Sequence, residues 1–139
     1  MSAEPILEVE HLVKEFTVKK VRGLRSTKLT VHAVSDVSFT VGAGQTVGLV
    51  GESGSGKTTV GRCVLNLLKP TSGTVRFAGE QVLGMSTGRL RRYRSSQVAM
   101  IFQDPRAAIN PVRKVGDFLV ENAVTNLGWS RSQARAKAV

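Results

Sequence analysis

Apolar residues recur along the chain with two different periods. Between residues 6 and 18, Ile6, Leu7, Val9, Leu12, Val13, Phe16 and Val18 alternate only in part. That pattern predicts a strand that is bent or bulged. Residues 29–41 alternate more strictly, with Val31, Ala33, Val37, Phe39 and Val41 at period two, and predict a second strand. The residues between them, 19–28, are basic and contain Gly23, which reads as an exposed loop. Gly42-Ala43-Gly44 predicts a turn. Residues 46–50, Thr-Val-Gly-Leu-Val, form a short apolar run suited to a buried parallel strand.

The period then changes. Val60, Cys63, Val64, Leu67 and Leu68 fall at i, i+3, i+4, i+7 and i+8, one face of a helix, with Arg62, Asn66 and Lys69 on the other. Pro70 and Gly73 lie just past the last periodic residue and stop it. Residues 74–77 predict a short strand, 78–80 a turn, and Gln81-Val82 a segment able to pair back. Residues 86–94 predict a short basic helix with Ser86 as N-cap. Residues 98–102, Val-Ala-Met-Ile-Phe, form a second continuous apolar strand, ended by Gln103-Asp104-Pro105. Pro111 marks a loop. Residues 115–127 predict a helix closed by Gly128, and Ser130 caps a last alanine-rich helix. No internal repeat or low-complexity tract is present in the sequence.

Between the run 46–50 and the first helix lies Gly51-Glu52-Ser53-Gly54-Ser55-Gly56-Lys57-Thr58, which fits the phosphate-binding pattern G-x-x-x-x-G-K-[ST]. A polyphosphate must be wrapped by backbone N–H groups, and side chains would block that approach. Gly51, Gly54 and Gly56 remove Cβ where the chain must turn sharply. Lys57 supplies an ammonium able to reach the β and γ phosphates. Thr58 supplies a hydroxyl for Mg²⁺, a hard cation that prefers oxygen. The helix that begins here turns its N–H groups and dipole toward the anion. A glycine-rich turn with an incidental lysine is the plain alternative. The apolar run before the motif and the helical face after it are the setting that nucleotide binding requires.

Composition narrows the remaining possibilities. The chain has 139 residues, 41% hydrophobic and 22% charged, ordinary for a soluble globular domain with a real core. No apolar run approaches the roughly 18 residues of a membrane span. The first residues, Met1-Ser2-Ala3-Glu4-Pro5, show no basic or apolar region of a signal peptide, so the cytoplasm is the expected compartment. The single Cys63 cannot form an internal disulfide and reads as a small core residue. Net charge is +10, which brings nucleic acid into consideration. The basic residues are dispersed, however: Lys19, Lys20, Arg22, Arg25 and Lys28; then Arg89, Arg91, Arg92 and Arg94; then Arg131, Arg135 and Lys137. Only Tyr93 accompanies the second group, so no stacking platform for single strands is evident. A solvated face, or one near anionic lipid headgroups, suits them better.

The glycine motif, extended to Thr59, is followed by Met100-Ile101-Phe102-Gln103-Asp104-Pro105 and then Ile109-Asn110-Pro111. Together these resemble the N-terminal half of an ATP-binding cassette (ABC) transporter ATPase, and most of all the oligopeptide, dipeptide and nickel importer group. In that group the Q-loop reads like Phe-Gln-Asp-Pro and the Walker A segment begins Gly-Glu-Ser-Gly. The insert at 19–28 is also similar, and the resemblance covers essentially the whole chain. It implies an α/β P-loop NTPase core with an N-terminal antiparallel β subdomain and the start of a helical subdomain. The implied divisions of a partial nucleotide-binding domain, 1–139, are a mainly antiparallel β part at 1–45, a P-loop core at 46–102, and the Q-loop with the start of the helical subdomain at 103–139.

The resemblance also implies residue roles. Phe16 becomes the A-loop aromatic that stacks on adenine, whereas the strand pattern by itself makes it core-facing. Ser53, Gly54, Ser55, Gly56, Lys57, Thr58 and Thr59 cradle the phosphates of ATP. Gln103 places its amide oxygen near Mg²⁺ and the attacking water; read alone, it is a strand-end side chain bonding a nearby backbone group. Residues 103–114 face a transmembrane permease subunit. A second ATP-binding subunit, identical or not, and indirectly a solute-binding protein complete the implied assembly at the cytoplasmic face of the plasma (inner) membrane.

The sequence departs from the family in two ways. The signature motif, Walker B aspartate, catalytic glutamate, D-loop and switch histidine lie further along in the family, and none occurs before Val139, so the chain reads as truncated. His11 and His32 sit in the N-terminal strands and do not stand in for the switch histidine. Ala107-Ala108-Ile109 replaces the usual Ser-Ser-Leu, a change that leaves Gln103 in place. The expected activity is ATP hydrolysis coupled to import of peptide-like solutes, in the whole protein rather than in these residues alone. The alternatives are a soluble P-loop ATPase acting on nucleic acid and a non-catalytic nucleotide-binding remnant.

Overall fold

The structure, a computed structural model, describes residues 5–22, 25–104 and 112–138. It divides into two compact units, Met1–Met85 and Ser86–Val139.

The first unit is built on two long strands, β1 (Pro5–Arg22) and β2 (Arg25–Gly42). A helix α1 (Lys57–Val64) follows, then β3 (Ser72–Phe77) and the short β4 (Glu80–Gln81). The four strands form one sheet in the order β2-β1-β3-β4, and every pairing is antiparallel. The expected bulges are present. Val9 pairs with Phe39 and Leu12 with Val37, so β1 carries one more residue than β2 over that interval. This matters because residues three apart lie on opposite faces of a regular strand. The extra residue returns Leu12 to the face of Val9, and both are buried. Between Leu12↔Val37 and Lys14↔Val34 the extra residue lies on β2, which turns Val34 into the same core.

His11 and Asp36 take up these irregularities in the left-handed region, at φ 49° and 53°. They are tied across the strands by a His11 Nδ1···Asp36 Oδ1 contact of 2.7 Å, and the His11 N–H donates to Ser38 Oγ at 2.8 Å.

Residues 19–22 and 25–28, expected to be loop, continue the ladder instead. Lys19 pairs with Lys28 and Lys20 with Thr27, out to Arg22 and Arg25. An antiparallel partner in register satisfies the backbone whatever the side chains do, so lysines exposed to water are compatible with a strand.

Two further expectations fail. Helix α1 ends at Val64, one turn early, because Asn66 adopts φ 51°. The Asn66 N–H donates to Cys63 O at 2.9 Å and the Leu67 N–H to Arg62 O at 2.9 Å, the paired bonds of a Schellman stop with asparagine in glycine's usual place. The apolar runs 46–50 and 98–102 form no ladder, and Val50 and Ile101 are each 94% exposed. Apolarity favours burial, but a strand also needs a neighbouring strand to take its N–H and C=O groups, and no described strand pairs with either run. Residues 74–77 fall within β3 as expected. The turn at Ala78-Gly79, with φ 48° and 75°, has the left-handed pair of a type I′ hairpin, and Glu80 with Gln81 pairs back.

In the second unit the terminal signals hold. Ser86 Oγ accepts from the Arg89 N–H at 3.4 Å and caps α2 (Thr87–Arg92). A π-turn (Tyr93–Gln97) follows and buries Tyr93 completely. Helix α3 (Val115–Leu127) is closed by Gly128 at φ 71°. Helix α4 (Arg131–Ala138) begins with a capping box: the Gln133 N–H donates to Ser130 Oγ at 3.2 Å and the Ser130 N–H to Gln133 Oε1 at 3.0 Å. Asp117 of α3 faces Arg131 at 3.4 Å and Arg135 at 3.7 Å on α4, while Val120 and Ala134 are buried. The loop expected at Pro111 lies outside the described residues.

The crossing of β1 and β3 depends on Gly73, at φ 94°. A Cβ there would lie 2.4 Å from His11 O and 2.7 Å from Glu10 O, both backbone atoms that cannot swing aside. Gly73→Ala should therefore cost about 2 kcal/mol or more, read as a lower midpoint in thermal or urea unfolding. A midpoint equal to that of the parent would show that β3 does not need this approach.

Candidate nucleotide-binding site

The site begins at the turn after β2, where the Gln45 N–H donates to Gly42 O at 3.1 Å and Gln45 Oε1 accepts from the Gly42 N–H at 2.9 Å. The chain runs on through residues 46–50 into the loop 51–56. Gly54 and Gly56 stand at φ 84° and 94°, conformations that favour glycine and let successive N–H groups converge on an anion. The Ser55 N–H donates to Glu52 O at 3.2 Å and narrows the loop. Gly56 is the N-cap of α1, and its carbonyl accepts from the Val60 N–H at 2.9 Å. Its contact with the sheet is closer still: a Cβ on Gly56 would sit 2.1 Å from Ala33 O. The end of the loop is thus pressed against β2.

Lys57 opens α1 and folds over the loop. Its Nζ donates to Gly51 O at 2.7 Å, to Glu52 O at 2.6 Å and to Ser55 Oγ at 3.2 Å, so the ammonium stands at the mouth of the loop rather than out in solvent. Ser53 and Thr58 are exposed, and Thr59 is half-buried. Behind them Val60 and Cys63 anchor the helix in the core. Burial pushes the Cys63 thiol above its ordinary range, opposed in part by the nearby Lys14 ammonium, so Cys63 stays a neutral packing group.

Phe16 belongs to the same unit. It pairs with Val31, two residues along β2 from Ala33, which places it beside the seat of Gly56. The residue is 37% exposed, so it is not the enclosed core residue that the strand pattern by itself suggested. Gln103 is exposed at a bend in the second unit, and the first unit by itself holds the loop residues and Phe16. What the sequence could not offer is Ala33: its part is played by a backbone carbonyl, which no residue type announces.

The loop oxygens fit magnesium without a carboxylate cage. Among the described residues no cluster of three or more His, Cys, Asp or Glu side chains could hold a metal. Mg²⁺ keeps its waters and is commonly held by one or two protein oxygens plus phosphate. The exposed Thr58 hydroxyl at the start of α1 is an oxygen of that kind.

The model of the ABC transporter family matches residues 34–138. The chain belongs to the ABC transporter family. It is 40% identical over 134 residues to a di/tripeptide transport ATP-binding protein of Pseudomonas aeruginosa, covering 96% of this chain and 41% of that protein. It is also 40% identical over 121 residues to the glutathione import ATP-binding protein of Escherichia coli, covering 87% of this chain and 19% of that one. This ABC chain therefore spans less than half the length of either relative. Among solved structures it resembles an ATP-binding cassette captured as a dimer in a post-hydrolysis state with ADP and Pi. The TM-score is 0.73 at 20% identity, over 95% of this chain and 53% of that one. It also resembles a protein from Clostridium perfringens that is part of an ABC transporter complex, with a TM-score of 0.56 at 22% identity, over 96% of this chain and 59% of the other. These likenesses establish the fold, the α/β fold of ABC ATPase cassettes.

Because the clash at Gly56 is with main chain, Gly56→Ala should either push the loop off β2 or strain the strand. It should lower the unfolding midpoint by the equivalent of about 2 kcal/mol or more. A variant as stable as the parent would mean that the loop is not seated on Ala33.

Proposed function

We propose that this chain is the nucleotide-binding part of an ABC importer's ATPase subunit, which in the whole protein couples ATP hydrolysis to import of peptide-like solutes. One observation carries the reading: a glycine loop capped by Lys57 and pressed onto β2 beside Phe16, in a chain 40% identical over 134 residues to a di/tripeptide transport ATP-binding protein. In this reading residues 51–59 hold the triphosphate and Phe16 stacks on the base. The division into a β part at 1–45, a P-loop core at 46–102 and a Q-loop segment from 103 follows the same logic.

The chain's own residues do three things. Backbone N–H groups of residues 54–58 and the start of α1 meet phosphate oxygens, with the helix dipole in the favourable sense. Lys57 exchanges loop oxygens for β and γ phosphate oxygens, charge-assisted contacts that strengthen as charge builds on the transferring group. Gln103 orients groups around the terminal phosphate by its amide. The Thr58 hydroxyl and the Gln103 amide oxygen would each offer Mg²⁺ an oxygen ligand, and the ion would supply positive charge to offset that of the phosphates. Residues 103–114 face the permease subunits, and a second ATP-binding subunit, identical or not, supplies what one cassette lacks. A solute-binding protein takes part indirectly. The complete protein then sits peripherally at the cytoplasmic face of the plasma (inner) membrane. No helix among the described residues is long and apolar enough to cross a membrane.

A nucleic-acid-directed ATPase is the weaker reading. Its support is the net charge of +10, whereas the relatives' names point to import.

Two outcomes test the proposal. Lys57→Ala should weaken ATP binding by roughly 1.5–3 kcal/mol while leaving adenosine unaffected; equal losses for both ligands in a titration would remove Lys57 from the phosphates. The 139-residue chain should bind Mg·ATP but not turn it over, because a positioned water is needed and the general-base glutamate and switch histidine of the family have no counterpart in it. Lys57-dependent phosphate release on the order of 1 s⁻¹ or more from this chain would show that the machinery has been misplaced.

A further inference from the structure

Lys14 lies two residues before Phe16 on β1, the spacing that puts side chains on one side of a strand. Its Nζ stands 5.0 Å from the centroid of the Phe16 ring, within the range of a cation–π contact. The same Nζ donates to Lys69 O at 2.9 Å, in the segment that follows α1. The strand on either side is fixed to that segment as well: the Glu15 N–H donates to Thr71 Oγ1 at 2.9 Å and the Thr71 N–H to Val13 O at 2.8 Å. Lys14 is half-buried while Phe16 is more open. A lysine kept only for solubility would extend into water; this one is turned inward and held over a ring.

We infer that Lys14 is the positioning residue of the Phe16 base platform: its ammonium closes one face of the ring and leaves the opposite face for a purine. The inference rests on the reading of Phe16 as the base-stacking residue. Two effects follow from the geometry. The cation draws the ring's π density toward itself, so the free face is depleted and better suited to an electron-rich purine. The ring is also restrained before the base arrives, so less rotamer freedom is lost on stacking.

The test is a set of titrations on the full 139-residue chain with ATP and, separately, inorganic tripolyphosphate, which has no base. Lys14→Gln keeps a donor for the Lys69 carbonyl and removes the charge. Lys14→Arg keeps both and serves as the folded control. Lys14→Gln should weaken ATP binding roughly two- to fivefold and leave tripolyphosphate unchanged, and Lys14→Arg should restore ATP affinity. Phe16→Leu should weaken ATP more, and adding Lys14→Gln to it should change nothing further.

Equal losses for ATP and tripolyphosphate would overturn the inference by making Lys14 a phosphate contact. Additive losses in the double variant would make Lys14 and Phe16 independent and overturn it too. ATP affinity untouched by Lys14→Gln but weakened by Phe16→Leu would refute the role of Lys14 and leave the base platform standing. ATP affinity untouched by Phe16→Leu would refute the platform itself.

Discussion

The contact between Gly56 and the carbonyl of Ala33 joins the two halves of the first unit's chemistry. On one side is a loop whose conformation needs left-handed glycines. On the other is a strand whose register is set by bulges several residues away. Were the β1–β2 register to slip by one residue, side chains on the slipped strand would change face. Phe16 and the strand position that receives Gly56 would then no longer lie together. The irregular pairing around His11 and Asp36 is therefore part of how the nucleotide site is assembled, although neither residue belongs to it. The bulges keep Val9, Leu12 and Val34 in one core, and that core fixes where Ala33 presents its oxygen.

What the chain announces in advance depends on whether the relevant partner is near in sequence. Ser86, Gly128 and the Ser130–Gln133 pair act on their own helix, and each terminus falls where its residue type says it should. The glycine–lysine loop is legible for the same reason: its glycines, lysine and threonine are covalent neighbours, so the spacing itself encodes the geometry. Asn66 is harder, because asparagine favours the left-handed conformation less strongly than glycine, and the apolar pattern of Leu67 and Leu68 argues for another turn of helix. Its place in the stop becomes evident once the bonds from residues 66 and 67 are seen.

Partners distant in sequence account for the remaining differences. Lys19, Lys20 and Lys28 have the composition of a loop, and nothing local says that residue 19 will face residue 28. Residues 46–50 and 98–102 have the composition of buried strands, yet pairing is a property of neighbours as much as of the run itself. Lys14 illustrates the same limit at the site. As a letter it is one more solvated lysine, and its position over Phe16 emerges from the segment after α1 coming back to β1 at Lys69 and Thr71.

The sheet order leaves β2 on an outer edge, where an open backbone can recruit a strand from another molecule. Two features on the same strand work against that. The irregular stretch around Val34 and Asp36 breaks the flat run of donors and acceptors, and Lys28 places a charge directly along the edge. An approaching copy would meet its own lysine and a kinked ladder, both unfavourable to edge-to-edge growth. The features that set the position of the phosphate loop thus also discourage self-assembly along the only long outer strand described, so the bulges that organise binding serve colloidal stability as well.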